Sequence, residues 1–123
     1  MGQSFKDLVV WQKAIELTEA VYLLTSKFPD AERFGLTNQM RRASVSIASN
    51  IAEGYGRNTK GEYFQFLGHA RGSCCELDTQ LVIAKRLQFG SAQGSEMTQT
   101  LIADVSRLLG ALMKSIRPSK PMQ

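Results

Sequence analysis

Apolar residues along this chain recur at spacings of three and four, and no segment alternates in the two-residue period of a strand over a useful length. That restricts the chain to amphipathic helices. Four such stretches are separated by proline or glycine. The first predicts a helix over about 7–27, with a stripe of Val10, Ala14, Leu17, Val21, Leu24 and Phe28. Trp11, Ile15 and Tyr22 widen this stripe, so the helix meets more than one neighbour. Pro29 cannot continue it. A second helix over 37–55 takes Thr37 as N-cap and buries Leu36, Met40, Ala43, Ile47 and Ile51. Gly54-x-Gly56 is expected to end it through a left-handed turn.

Thr59 and Glu62 have the spacing of a capping box and open a third helix over 60–89. Its stripe is Tyr63, Leu67, Ala70, Cys74, Leu77, Leu81 and Ala84. The run Gly90 to Gly94 turns the chain, and Ser95 is the expected cap of a fourth helix over 95–117. Met97, Leu101, Val105, Leu108, Leu112 and Ile116 form its stripe, and residues 118–123 are expected to fray. Short connections between long helices favour antiparallel neighbours. The expected fold is all-α, an up-and-down antiparallel four-helix bundle forming one domain over residues 1–123.

No apolar run approaches a membrane span, and the first residues lack the layout of a secretion signal, so a cytoplasmic protein is expected. Cys74 and Cys75 are adjacent, point about 100° apart on a helix and have no ligand-spaced histidine. Cys74 therefore reads as a small core residue, and no metal or cofactor is implied.

Two helices carry small or apolar residues away from their core stripes. These are Val45, Ala48 and Ala52 on the second helix, and Phe64, Gly68, Gly72 and Cys75 on the third. A glycine inside a helix costs about 1 kcal/mol relative to alanine. Gly68 and Gly72 thus need a reason, either a close contact within the monomer or a subunit interface.

No catalytic constellation assembles. His69 has no positioned partner, Glu76 and Asp78 point apart, and Gly54-x-Gly56 has no preceding strand. No small-molecule substrate is evident. The formal charge is +4, unevenly spread: Arg41, Arg42, Arg57 and Lys60 face only Glu53 across residues 36–60. These four are candidate phosphate contacts, although the two pairs lie about 25 Å apart along one helix. Glu53 and Arg57 also have the spacing of an ion pair within a helix.

The run Gly35-Leu36-x-x-Gln39-Met40-Arg41-Arg42-Ala43-x-x-Ser46-Ile47, continuing through Asn50-Ile51-Ala52-Glu53-Gly54-x-Gly56-Arg57, resembles the bacterial four helix bundle protein family. That family is also known as the 23S rRNA intervening-sequence protein family. Phe5-Lys6-Asp7-Leu8-x-Val10-Trp11 is similar to its opening, and Glu62-Tyr63-x-x-Phe66-Leu67 with Gly72-Ser73-x-x-Glu76-Leu77 to its third helix. The family is similar in fold to accessory proteins of diversity-generating retroelements, pentameric barrels that bind nucleic acid and contact a reverse transcriptase. The resemblance implies a non-enzymatic homo-oligomer, with a pentamer as the form suggested and RNA or DNA as the leading partner. The alternative is an adaptor that recruits another macromolecule through its surface.

Overall fold

The computed structural model describes residues 4–118. Four helices dominate: α1 Val9–Thr25, α2 Leu36–Tyr55, α3 Lys60–Arg86 and α4 Ala92–Ile116. Short 3-10 turns at Phe5–Asp7 and Asp30–Glu32 precede α1 and α2, and no strand occurs among the described residues. Of residues 118–123, where fraying is expected, 119–123 lie outside the described residues.

Contacts between helices run in opposite directions along each pair. Thr18 meets Ser44 while Thr25 meets Arg41. Ser73 meets Ser46 while Phe66 meets Gly54. Lys85 meets Gln99 while Phe64 meets Arg117. Each helix packs on its neighbours in sequence, α1 closes against α4, and among the described residues no two backbones approach closely across the diagonals. The bundle is up-and-down and antiparallel.

One core runs through all four helices. The expected stripes of α1, α2 and α3 face it, with Leu17, Met40, Ile47, Ile51, Leu67, Leu77 and Leu81 fully buried. In α4 the stripe is shifted. Ile102, Val105, Leu109 and Met113 are buried, Leu101, Leu108 and Leu112 flank them, and Met97 is 56% exposed. Ser95 and Thr98 extend the buried line toward the N-terminus, and the Thr98 hydroxyl donates to Gly94 O at 2.8 Å. A buried hydroxyl with an intrahelical acceptor occupies a core position at little cost.

The helix ends also differ from expectation. Thr37 is not the N-cap of α2. Gly35 holds that position and Glu32 Oε1 accepts the Leu36 amide at 3.1 Å, so an acidic side chain one turn upstream supplies the acceptor. Ser91 rather than Ser95 caps α4, accepting from Gly94 N at 2.9 Å. Thr59 does cap α3, but Glu62 returns to the Thr59 hydroxyl at 3.2 Å rather than to its amide. α3 stops at Arg86, where Gln88 at φ 61° turns the chain and the Phe89 amide bonds to Ala84 O at 2.9 Å.

Gly54 does not end α2. It lies buried inside the helix, and a Cβ there would stand 2.8 Å from Phe66 Cβ and 3.0 Å from Tyr63 Cδ1. This glycine lets α2 and α3 approach. Gly56 closes the helix at φ −83° and ψ 0°, a right-handed conformation open to any residue, so the expected left-handed turn is absent.

Candidate nucleic-acid interface

Arg41 and Arg42 are consecutive on α2, about 100° apart, and serve different ends. Arg41 leans toward α1. Its Nε donates to Thr25 Oγ1 at 2.9 Å and its Nη2 to Tyr22 O at 3.5 Å, while Cζ sits 4.5 Å over the Tyr22 ring. A cation at the carbonyl end of a helix offsets the negative end of its dipole. Arg41 therefore fastens the end of α1 to the start of α2. Arg42 points outward, exposed, with no carboxylate within 4.0 Å among the described residues. Tyr22, Asn38, Arg41, Arg42, Val45 and Ser46 line a cleft of about 460 Å³ beside it.

At the far end of α2, Arg57 pairs with Glu53 at 3.8 Å, the pairing its spacing suggested. Both side chains stay largely in water, so the pair contributes at most a few tenths of a kcal/mol. The Arg57 guanidinium also lies 4.5 Å over the Phe66 ring, whose edge meets His69 at 5.9 Å. Lys60 begins α3 and is exposed. The four cations thus stay in two groups at opposite ends of the bundle.

The small and apolar faces separate likewise. Val45, Ala48 and Ala52 look toward α1 and line a shallow groove with Trp11, Ile15, Thr18 and Ser49. Ala48 is already buried within the monomer, and Val45 is exposed. On α3, Phe64 receives Arg117 at 5.8 Å and Cys75 lines a cleft against α4. A Cβ at Gly68 or Gly72 would meet nothing within 4 Å. Close packing inside the monomer therefore does not explain these two glycines.

Cys74 is buried, its Sγ 3.8 Å from Ile102 O, and burial pushes its thiol up to about 11, with Cys75 and Asp78 adding smaller contributions. Cys75 is exposed. No group of three or more metal-ligating side chains occurs among the described residues, and no helix there is long and apolar enough to cross a membrane. Tyr22 and Asn38 were not foreseen beside the arginines. Asn38 stands four residues before Arg42, hence on the same ridge, which is a signal in the sequence; Tyr22 comes from another helix and gives none.

Residues 6–111 match the family described as 23S rRNA-intervening sequence protein. Among curated proteins, none matches the chain. A solved structure from Bacteroides thetaiotaomicron, described as a protein with unknown function from the S23 ribosomal protein family, is similar at a TM-score of 0.80 and 22% identity. The similarity covers 89% of this chain and 98% of that one, and at this identity it shows the shared fold.

Proposed function

This chain belongs to the 23S rRNA-intervening sequence protein family, and from that premise we propose that it is a non-enzymatic homo-oligomer that binds RNA or DNA through its basic surface. The observation that carries the proposal is Arg42, an exposed guanidinium with no carboxylate partner among the described residues, set on a ridge beside a cleft. Lys60 and the partly engaged Arg57 extend the basic surface at the other end of α2. Contacts of this kind go to phosphates, so binding is largely indifferent to sequence and falls steeply with salt.

Assembly supplies what one copy lacks. The groove between α1 and α2 and the glycine face of α3 lie on different sides of the bundle. A contact joining one to the other is head-to-tail, and such contacts close into a ring when the rotation between copies divides a full turn. Five copies at +4 each would carry about +20 in one particle, enough to attract a strand that a monomer would hold weakly. The pentamer and the nucleic-acid partner are both parts of this proposal.

A shift assay across a salt series, with RNA and unrelated DNA on matched samples, tests the binding. Comparable affinities and a steep negative slope of log affinity against log salt are expected. Absence of binding at low salt would refute it. The adaptor reading would then lead, supported by Phe34, which is 86% exposed beneath Arg33 at 5.5 Å.

A further inference from the structure

The cleft at the start of α2 has an unbalanced set of hydrogen-bonding groups. No carboxylate lines its wall of Tyr22, Asn38, Arg41, Arg42, Val45 and Ser46. Arg41 is held in place by Thr25 and by the Tyr22 carbonyl and ring, so its orientation is fixed before any ligand arrives. Tyr22 O accepts from the Ser26 amide at 3.1 Å as well as from Arg41, so it offers no free carbonyl to repel an anion. Arg42 and the Asn38 amide are exposed and able to turn inward from the same ridge. The Ser46 hydroxyl is already engaged with Ser73 at 3.0 Å and with Asn50 at 3.0 Å. What remains free is mostly N–H, and guanidinium and amide groups offer several donors each.

A ligand that completes this site must be rich in acceptors, negatively charged and small. We infer that the cleft is a binding site for one phosphate group, with Arg42 and Asn38 as the direct donors and Arg41 as the fixed positive wall. The inference deepens the nucleic-acid reading and rests on it for the strand as the source of that phosphate. Glu76 could compete for Arg42, since it shares the adjoining groove between α2 and α3, but it does not pair with Arg42 within 4.0 Å.

The test titrates the full chain with sodium phosphate, against sodium chloride at equal ionic strength. Arginine Nε–H and Asn38 side-chain signals are followed by NMR. Saturable shifts at Arg42 and Asn38 in phosphate alone are expected, and Arg42→Gln should lower phosphate affinity at least about tenfold while melting is unchanged. Shifts that do not saturate, that chloride reproduces, or that persist in Arg42→Gln overturn the site. A parallel arm measures an unstructured RNA oligonucleotide. If the strand supplies the phosphate, Arg42→Gln flattens the salt slope by about one for each bound subunit. Phosphate binding without RNA binding keeps the cleft as a site for free phosphate and removes only the nucleic-acid reading. RNA binding without any phosphate response removes the cleft and leaves that reading standing.

Discussion

Replacing Gly54 by alanine isolates the energy of the close approach between α2 and α3. The new methyl would lie 2.8 Å from Phe66 Cβ, 3.0 Å from Tyr63 Cδ1 and 3.3 Å from Tyr63 O. Carbon atoms prefer about 3.5–4.0 Å, so the seam must open by somewhat under an ångström. The atoms in the way are a Cβ, a ring carbon and a backbone oxygen, none of them the loose end of a flexible chain. Overpacking of this kind costs about 1–3 kcal/mol. Against it stands the helix propensity gained on leaving glycine, about 1 kcal/mol. Gly110→Ala supplies the control, because a Cβ at Gly110, also inside a helix, meets nothing within 4 Å. The propensity gain at Gly54, the penultimate residue of α2, is no larger than at Gly110 inside α4, so the difference retains the full cost of the clash. Urea unfolding should place Gly54→Ala about 1–3 kcal/mol below Gly110→Ala, at an unchanged dependence on denaturant. Equal or greater stability for Gly54→Ala would refute the claim that this glycine admits α3.

Gln88 adopts φ 61°, where a side chain costs about 1 kcal/mol, so Gln88→Gly should raise the thermal midpoint. Arg41→Ala loses the hydrogen bond to Thr25 and the stack on Tyr22 and should cost about 1–2 kcal/mol by chemical denaturation, whereas Arg42→Gln should stay within about 0.5 kcal/mol. A thiol reagent at pH 8 should label Cys75 in the folded chain and both cysteines after unfolding. The folded chain keeps the Cys74 proton to about 11, from an ordinary value of 9.0; unfolding therefore releases that proton between these values, and stability should fall as pH rises through them. Gly68→Leu, placed where a Cβ meets nothing, should disrupt the proposed oligomer in light scattering while monomer folding persists; a monomeric wild type at micromolar concentration would remove the interface.

The stripes of α1, α2 and α3 were legible because each runs unbroken at the core spacing, even though Val9, Leu23, Val45, Val82 and Ile83 stand exposed beside them. In α4 they come as adjacent pairs, Leu101 with Ile102 and Leu108 with Leu109, and periodicity alone cannot choose between members of a pair. The true line begins at Ser95 and Thr98, whose hydroxyls hide it from a search for apolar residues. Among the glycines, Gly54 reads as a helix terminator beside Gly56, and Gly68 and Gly72 read as interior glycines that either a close contact or an interface could explain. Only the packing reveals that the first is crowded and the others open. Arg41 and Arg42 likewise read as a pair until tertiary structure ties one to the end of α1. Such contacts depend on which helix arrives alongside, and that information is spread over the whole chain.

The ring of neighbours around the core also has a kinetic meaning. α1 with α2, α2 with α3 and α3 with α4 are joined by short connections, while α1 and α4 alone meet across the length of the chain. Contacts close in sequence are cheap in loop entropy, so hairpins can form early and folding should be fast. The seam between α1 and α4 should close last and open first, because parting it leaves the α2–α3 hairpin, with its close approach at Gly54, intact.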